Sequence, residues 1–375
     1  MKYRICTKTV MDNAADPDIV FDEAGVCHYY HEYMAKLAIR VPEGAVREAN
    51  LLLLLQQIKK AGKGKRYDCV IGISGGVDSS YVAWLTRQWG LRPLAVHVDN
   101  GWNSELAVSN IEQQLRILGI DLVTEVLDWS VFRDLQWSFL KASVPDAEVP
   151  TDHVVFAALY KAAARHGIRH ILTGMNFRTE GMLPKAWSRG HLDWRYISSV
   201  HKIFGTVPIH SLPHISISRF LWYNVVKRIR MVGILNYVDF SKATALEVLQ
   251  RELGYRPYDG KHHESVYTRF FQSYILPKKF GIDKRRAHLS CLIAGTGELT
   301  REEALRQLEQ PPMAPNDVLA DKDYVIKKLN ITPEQFEEMM AAPPRTIFDY
   351  PNHYKWEQRF RQALHAGRRR GWLPN

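Results

Sequence analysis

The stretch Cys69-Val70-Ile71-Gly72-Ile73-Ser74-Gly75-Gly76-Val77-Asp78-Ser79-Ser80 decides the fold of this chain. Residues 69–73 form a short apolar run of the length expected for a strand that is buried on both faces. A polar loop follows, and Val82, Leu85 and Trp89 then recur at helical spacing. The order of buried strand, glycine-containing loop and helix predicts the first unit of a parallel sheet.

The alternation of strand and helix continues downstream. Strand patterns recur at 94–98, 122–126 and 170–173, with helical patterns between them. Four strand–helix units between residues 69 and 173 predict an α/β fold with a parallel sheet that is covered by helices. Ligands bind such sheets at the carboxyl ends of the strands, which is where the loop after the first strand lies.

The pattern divides the chain into three parts. Residues 1–60 form an N-terminal segment, residues 61–210 hold the α/β domain, and residues 211–375 form a mostly helical C-terminal region. No strand is predicted beyond about residue 211. We expect the C-terminal region to contact a substrate or a partner.

Composition places the chain among ordinary globular proteins. Hydrophobic residues make up 46% and charged residues 24% of its 375 residues, which excludes disordered, collagen-like and disulfide-rich classes. The sequence shows neither an apolar run of bilayer-spanning length nor an apolar signal-peptide core. Four cysteines without a paired framework fit a reducing compartment. We therefore expect a cytoplasmic protein without a membrane partner.

The net charge of +10 reflects 50 basic and 40 acidic side chains. A basic excess attracts polyphosphates, but here it is dispersed, and its densest cluster is Arg368-Arg369-Arg370. A solvated tail or a site for small phosphorylated ligands explains the charge about as well as nucleic acid does. We do not expect nucleic acid among the partners.

Residues 74–80, which we call the glycine loop, carry the features of a phosphate site. Paired glycines let phosphate oxygens approach the backbone without a Cβ in the way. Hydroxyls and the amides at the helix N-terminus supply donors to an anion. An ordinary glycine turn with a serine helix cap is the alternative reading. The residues expected to contact phosphate are Ser74, Gly75, Gly76, Ser79 and Ser80.

Asp78 has a different expected role within the glycine loop. A carboxylate repels phosphate, so its sensible role is to hold Mg²⁺, which in turn binds the phosphates. A Walker A loop would carry a lysine after its last glycine, and Val77-Asp78-Ser79 stands there instead. We expect Asp78 to be a metal ligand and a catalytic residue.

The glycine loop resembles the pyrophosphate-binding loop of the PP-loop ATP pyrophosphatases, over about residues 67–180. The resemblance implies an adenine nucleotide alpha-hydrolase-like domain that binds ATP and Mg²⁺ and cleaves ATP between the α- and β-phosphates. In that superfamily the ends of the second and fourth strands hold the adenosine. In this chain those ends imply Val98, Asp99 and Gly174 as further nucleotide contacts.

A second resemblance spans most of the chain and concerns the acceptor. The stretches that carry it are 6–12, 16–19, 21–27, 98–102, 150–153, 197–205, 261–265, 268–272 and 276–285. They resemble the N-acetyl sugar amidotransferases of bacterial surface-polysaccharide biosynthesis, which convert a sugar acetamido group to an acetamidino group. The resemblance implies a C–N ligase that adenylates the acetamido oxygen of a nucleotide-linked sugar, releases AMP and pyrophosphate, and serves lipopolysaccharide O-antigen or related glycan biosynthesis. It also implies two partners that supply ammonia, a glutaminase subunit and a cyclase-like barrel subunit.

Lys261-His262-His263-Glu264 brings a cation, two imidazoles and a carboxylate together within four residues. If the segment is helical, Lys261 and Glu264 lie on one face. We expect Lys261 to bind phosphate and His263 or Glu264 to accept a proton of the incoming ammonia. These three residues join Asp78 as catalytic candidates, and an exposed, charged helix start is the alternative.

Three further residues are expected to contact the substrate: Asp152, His153 and Arg269. Asp152 and His153 lie at a predicted helix start near the strand ends, where Asp152 also fits a simple helix cap. Arg269 suits a phosphate or a carboxylate of the sugar nucleotide, and a surface salt bridge explains it nearly as well.

The N-terminal segment departs from the resemblance. The amidotransferases carry two Cys-x-x-Cys pairs that suit a structural zinc, and this chain keeps only Cys6 and Cys27 of those four positions. A structural zinc site needs four ligands. We therefore expect a degenerate zinc-ribbon-like segment that has lost its metal.

Two other functions remain open on the sequence. A PP-loop tRNA-modifying enzyme suits the net charge, but the thiolating enzymes of that kind usually need reactive cysteines, and the chain has no Cys-x-x-Cys. A nonenzymatic ATP-binding subunit needs neither the complete glycine loop nor an acid–base cluster. The products distinguish them, because a sensor leaves ATP intact and an enzyme of this class forms AMP and pyrophosphate.

Overall fold

A computed structural model describes residues 2–14, 16–258 and 264–354 of the chain. A sheet of five parallel strands in the order β3-β2-β1-β4-β5 forms its centre. The strands are β1 Cys69–Gly72, β2 Pro93–Asp99, β3 Asp121–Val126, β4 His170–Thr173 and β5 Arg230–Gly233. This architecture confirms the α/β fold class predicted from the sequence.

Helices occupy most of the remaining described residues. Those before β4 are α1 His28–Arg40, α2 Gly44–Gly62, α3 Val77–Gln88, α4 Glu105–Leu118, α5 Trp129–Lys141 and α6 Val149–Arg165. Those after β4 are α7 Phe177–Glu180, α8 Trp194–Phe204, α9 Ile217–Leu221, α10 Lys242–Leu253, α11 Val266–Phe270, α12 Arg285–Cys291, α13 Arg301–Glu309, α14 Pro315–Leu329 and α15 Pro333–Ala341. Three of them continue into wider π-type turns, at Trp222–Val226, Phe271–Phe280 and Leu292–Thr296. Across the described ranges, no helix has both the length and the apolar composition needed to cross a bilayer.

The first strand contributes side chains to two cores on opposite faces of the sheet. Cys69 and Ile71 join a core with α2, α3 and α4, whereas Val70 joins a core with α6. All three are completely buried. Burial on both faces explains why this segment is continuously apolar instead of alternating.

The fifth strand is the main departure from the sequence-based expectation of no strand beyond about residue 211. β5 pairs with β4 in parallel, with Ile171 opposite Met231 and Thr173 opposite Gly233. The strand has only four residues and begins with the exposed Arg230, so neither length nor periodicity separates it from its helical surroundings. The sheet therefore extends past residue 210, where we placed the end of the α/β domain, and the domain boundaries stay a prediction.

The C-terminal helices pack on the carboxyl edge of the sheet. Trp102, which follows β2, is 1% exposed, and its ring centroid lies 5.1 Å from that of Tyr267 and 5.2 Å from that of Trp129. Phe270 and Phe336 extend this core toward α15. The packing brings the chain after residue 264 to the edge that carries the glycine loop.

The N-terminal segment forms two short turns that antiparallel bridges close at 5–12 and 21–27. Arg301 donates to two carbonyl oxygens of the first turn, at 3.0 and 3.1 Å. Arg286 donates to a third carbonyl oxygen there at 2.8 Å. These bonds attach the start of the chain to α12 and α13.

Candidate active site

The glycine loop joins β1 to the N-terminus of α3. Gly75 has a left-handed φ of +85°, and a Cβ at this position would lie 2.8 Å from the carbonyl oxygen of Ala107. Only glycine fits both the backbone angle and the space. Gly76 is the N-cap residue of α3, so the first amides of that helix, which have no partner within it, open onto the loop.

The serine hydroxyls of the glycine loop fall into two groups. Ser79 Oγ accepts from the Ser74 amide at 3.2 Å and donates to the Gly76 carbonyl at 3.1 Å, and Ser74 Oγ accepts from the Gly76 amide at 3.3 Å. Ser74 is exposed and Ser79 is half-buried, so both can reach a ligand. Ser80 is completely buried. Its hydroxyl has no hydrogen-bond partner among the described residues, and its contact with phosphate stays a prediction.

Gly174, at the end of β4, meets the glycine loop, and its contact with a nucleotide stays a prediction. A Cβ on Gly174 would lie 2.9 Å from the Cβ of Asp78 and 3.1 Å from the backbone nitrogen of Ser79. A larger side chain would therefore collide with the start of α3. The fourth strand and the glycine loop meet at Asp78, beside the phosphate donors.

The end of β2 forms a tight turn beside the loop. Asp99 Oδ1 accepts from the Gly101 amide at 2.9 Å, so one carboxylate oxygen supports the turn. Val98 is half-buried and packs against the core under α6. The structure brings both residues to the expected edge of the sheet, and their contact with a nucleotide stays a prediction.

Glu264 connects the C-terminal region to the glycine loop. The Ser104 amide donates to the Glu264 carbonyl at 2.9 Å, and the Val266 amide donates to the Trp102 carbonyl at 3.1 Å. A Cβ on Gly76 would lie 3.2 Å from Glu264 Oε1, so the carboxylate reaches the loop itself. Lys261 and His263, the other members of the predicted catalytic cluster, lie outside the described residues.

Two tyrosines that sequence reasoning missed hold the glycine loop from behind. The hydroxyls of Tyr255 and Tyr258 each donate to the Gly75 carbonyl at 3.1 Å. Burial raises the pKa of Tyr258 to about 12, and the charge of Glu264 adds to that shift. The sequence feature that could have indicated these tyrosines is Gly254, which ends α10 with a φ of +61°. The chain turns there toward the glycine loop.

The donor set beside the loop suits Mg²⁺ held jointly by protein and nucleotide. Mg²⁺ in such sites binds one or two carboxylates together with substrate phosphates. Asp78 belongs to the glycine loop itself and is the carboxylate that would hold the ion there. Among the residues that the structure describes, no group of three or more His, Cys, Asp or Glu side chains could hold a metal ion alone.

Asp152 belongs to a second polar group, which we call the helix-start cluster: Asp146, Glu148, Asp152, His191 and Lys284. His191 pairs with Asp152 at 3.0 Å and with Asp146 at 3.6 Å, and Lys284 pairs with Glu148 at 3.4 Å. Burial disfavours the charged imidazolium, but the hydrogen bond and charge of Asp152 and the charge of Asp146 outweigh it and raise the pKa of His191 to about 9. Glu148 occupies the N-cap position of α6, so Asp152 is not the cap.

His153 lies inside the molecule and not at a surface that a substrate reaches. It is 1% exposed, its Nδ1 lies 2.8 Å from the His191 carbonyl, and its Nε2 accepts from the Ile215 amide at 3.1 Å. Burial lowers its pKa to about 4. Both ring nitrogens therefore bind backbone groups, and the geometry gives His153 a positioning role instead of the expected substrate contact.

Arg269 forms a bidentate ion pair with Asp321. Its Nε and Nη2 donate to the two carboxylate oxygens at 2.8 and 2.6 Å. Asp321 is 5% exposed, so the pair joins α11 to α14 below the surface. This arrangement favours the salt bridge over the substrate contact that we expected for Arg269.

Cys6 and Cys27 face each other across the two N-terminal turns. The Cys27 amide lies 3.2 Å from Cys6 Sγ, and Thr9 Oγ1, at a position where the amidotransferases carry a cysteine, lies 3.9 Å from Cys27 Sγ. The hydrogen bond with the Cys27 thiol lowers the pKa of Cys6. The loss of zinc from this segment stays a prediction.

The C-terminal region matches a known protein family. Residues 264–362 match the family model of the C-terminal domain of WbpG-like lipopolysaccharide biosynthesis proteins. The matched segment begins at Glu264 and includes the helices that pack on the carboxyl edge of the sheet. The match confirms the resemblance of this chain to proteins of surface-polysaccharide biosynthesis.

Two solved structures show a distant likeness to the chain. A predicted subunit of a tRNA methyltransferase from Methanocaldococcus jannaschii is 17% identical, with 48% of this chain and 74% of that one aligned and a TM-score of 0.29. The NMN synthetase from Francisella tularensis is 15% identical, with 82% and 95% aligned and a TM-score of 0.31. At these values neither likeness informs on activity. No curated protein gives a significant match.

Proposed function

We propose that this protein is an ATP-dependent amidotransferase that converts the acetamido group of a nucleotide-linked N-acetyl sugar to an acetamidino group. The observation that carries the proposal is the meeting of the glycine loop, Gly174 and Glu264 at one edge of the sheet. A phosphate loop alone fits any nucleotide-binding protein. A carboxylate from a separate region beside that loop adds a proton acceptor, which binding alone does not require.

The family match supports the glycan side of the proposal. The segment similar to lipopolysaccharide biosynthesis proteins starts at the residue whose carboxylate reaches the glycine loop. We infer that the C-terminal region holds the sugar nucleotide while the α/β domain holds ATP. The sugar and the ATP then meet above the carboxyl edge of the sheet.

The glycine loop binds the phosphates of ATP in this proposal. The amides at the start of α3 and the hydroxyls of Ser74 and Ser79 donate to phosphate oxygens. The carbonyl of Gly75 is already bonded to two tyrosine hydroxyls, which fixes the backbone in the shape that exposes those donors. Asp78 would hold Mg²⁺, which would supply neutralisation of the charge on the departing pyrophosphate.

The proposed reaction activates a carbonyl group that is otherwise a poor electrophile. The acetamido oxygen attacks the α-phosphorus of ATP, and pyrophosphate leaves with the electron pair of the broken P–O bond. Ammonia then adds to the activated carbon, AMP leaves with the amide oxygen, and the nitrogen loses its surplus protons. Glu264 is the proposed acceptor of one of these protons. Lys261 and His263 remain proposed as phosphate and proton-transfer residues.

Ammonia is proposed to come from a glutaminase subunit and a cyclase-like barrel subunit. Ammonia is mostly protonated at neutral pH, so the free nucleophile is scarce in solution. Delivery from a bound partner avoids that dilution. High ammonium at alkaline pH is expected to replace both partners in the assay.

The first experiment measures pyrophosphate release from ATP with Mg²⁺ and ammonium, across UDP-linked acetamido sugars and bulk tRNA. We expect release that depends on one sugar, with AMP formed and a product one mass unit lighter, because NH replaces O. Glu264→Gln is expected to retain ATP binding and to lower amidine formation by roughly 10²–10⁴-fold. Glu298→Gln, at an exposed position, is the matched control.

Other outcomes overturn the proposal in distinct ways. Release that requires tRNA would move the chain to the RNA-modifying enzymes and keep the adenylation chemistry. Tight ATP binding without cleavage, even after addition of the glutaminase and barrel subunits, would indicate a nonenzymatic ATP-binding subunit. Full activity of Glu264→Gln would remove the proton-transfer role from that residue.

A further inference from the structure

One surface of the molecule combines exposed apolar side chains with positive charge. It consists of α9, its continuation Trp222–Val226 and the following residues to 230, and we call it the α9 face. Leu221, Trp222, Val225 and Val226 lie one turn apart on it, with exposed fractions of 38, 39, 69 and 63%. Tyr223, on the other side of the same helix, is buried against α6. The helix therefore packs on the core through Tyr223, and the four exposed side chains do not take part in that packing.

The part of the sequence that contains the α9 face carries only positive charge. Residues 194–238 contain six Lys and Arg side chains and no Asp or Glu. Four of the six surround the apolar group and are exposed: Arg219, Lys227, Arg228 and Arg230. The Lys227 ammonium lies 4.9 Å from the centre of the Trp222 ring. The whole chain, with 50 basic and 40 acidic side chains, shows no comparable bias.

A cleft of about 400 Å³ opens beside the apolar group. Arg219 from α9, Lys161 from α6 and the imidazoles of His210 and His214 line it. Lys161 is paired with Glu125 at 2.9 Å, which offsets one of the cationic groups. The cleft therefore suits a single anionic group such as a phosphate ester.

The α9 face is remote from the candidate active site. β5 runs parallel to β4 and begins at Arg230, so the residues just before it lie at the amino edge of the sheet. The glycine loop lies at the carboxyl edge. A partner on the α9 face therefore leaves the loop accessible.

We propose that the α9 face binds the surface of an anionic phospholipid bilayer. An exposed helix side with tryptophan and aliphatic residues, followed by lysine and arginine, is the arrangement with which peripheral proteins enter the headgroup layer. A second copy of this chain is a poor occupant, because its α9 face carries the same charge. This proposal departs from the sequence-based expectation of no membrane partner, which rested on the lack of an apolar run of bilayer-spanning length in the sequence. A peripheral contact does not need such a run.

Vesicle flotation of the full chain tests the proposal. We expect the protein to float with phosphatidylcholine vesicles that contain 30% phosphatidylglycerol, but not with phosphatidylcholine alone or in 0.5 M salt. Arg219→Glu/Lys227→Glu is expected to weaken binding by roughly thirtyfold or more. Trp222→Ala/Val225→Ser/Val226→Ser is expected to abolish flotation, because the buried apolar area that adds to the charge attraction is then lost.

Matched variants separate this surface from general effects. Lys8→Glu/Lys327→Glu changes the net charge equally at exposed positions elsewhere, and Leu319→Ser/Phe348→Ser removes exposed apolar side chains elsewhere. Both controls are expected to float like the wild type, with ATP binding of every variant unchanged. No flotation of the wild type, or flotation that the α9 variants leave intact, would overturn the proposal. If the wild type binds an acidic protein and the α9 variants do not, and no variant binds lipid, the proposal is overturned in favour of protein docking.

Discussion

The glycine loop and the helix-start cluster both lie near the carboxyl edge of the sheet and use their polar groups differently. In the glycine loop, the donors at the start of α3 and the exposed Ser74 open onto the surface. In the helix-start cluster, carboxylates and cations are paired with one another, as in the contact of His191 with Asp152 at 3.0 Å. The first arrangement is ready for a ligand, whereas the second stabilises the packing of α6.

This difference shows that residue type and position at a strand end do not define a site. His153 and Arg269 have the chemistry of substrate contacts, but backbone groups and Asp321 occupy their polar atoms. The three-dimensional packing, and not the residue type, shows which polar groups remain open to a ligand. Four experiments test this division, and they follow in order of expected effect.

Gly75→Ala tests the open arrangement most strongly. The new Cβ would lie 2.8 Å from the Ala107 carbonyl at a φ of +85°, so the loop has to shift, and displacement of catalytic groups by about 1 Å costs roughly 100-fold in rate. We expect that loss in pyrophosphate release. Gly119→Ala, with a φ of +61° and open space around it, is the matched control and should lose about 1 kcal/mol of stability without loss of activity. Equal activity of the two variants would mean that the loop shape is not required.

Arg269→Met tests whether a residue with a protein partner has a structural role. It leaves the Asp321 carboxylate, which is 5% exposed, without its guanidinium, and we expect the free energy of unfolding to fall by about 3 kcal/mol. Arg269→Met/Asp321→Leu should recover most of that loss in urea unfolding. Unchanged stability with a raised KM for the sugar nucleotide would instead return Arg269 to the substrate site.

The helix-start cluster should make stability depend on pH. The pKa of His191 is raised from 6.5 to about 9 by Asp152 and Asp146 against the effect of burial. A raised histidine pKa stabilises the fold fully below about pH 6.5, and this contribution is lost as the pH rises toward 9 and beyond. We expect Tm to fall over that interval in the wild type and less in Asp152→Asn. Parallel Tm profiles of the two proteins would exclude the pairing.

Tyr255→Phe is expected to have the smallest effect. It removes one of the two hydroxyls that donate to the Gly75 carbonyl at 3.1 Å, and a single hydrogen bond contributes about 1 kcal/mol. Thermal unfolding should show that loss, together with a severalfold weaker ATP affinity. Tyr237→Phe is the control, and an equal loss there would indicate a general effect of removing a tyrosine hydroxyl.

The sequence predicts the sheet well because its signals are local. Residues 69–73, 94–98, 122–126 and 170–173 are apolar enough to mark four strands that the structure contains. β5 escapes prediction because four residues at a sheet edge, beginning with an exposed arginine, carry no distinct periodicity. Its identity as a strand depends on pairing with β4, which is a contact across about 60 residues of chain.

The candidate active site also contains features that the local sequence predicts and features that depend on long-range packing. Gly75 is predictable because its left-handed φ of +85° belongs to the local loop, although its close approach to the Ala107 carbonyl depends on the packing of α4. The contacts of the Tyr255 and Tyr258 hydroxyls with the loop are not predictable, because they depend on how the chain after α10 packs against it.

The attachment of the N-terminal turns to α12 and α13 also has a consequence for biosynthesis. Arg286 and Arg301 bond to carbonyls 276 to 295 residues earlier in the chain. At 5–20 residues per second, a ribosome needs roughly 15–60 s to supply these arginines after the first turn has emerged. The nascent segment, with Cys6 and Cys27 in it, waits during that time without its docking surface. The N-terminal turns therefore reach their final packing only after α12 and α13 have been synthesised.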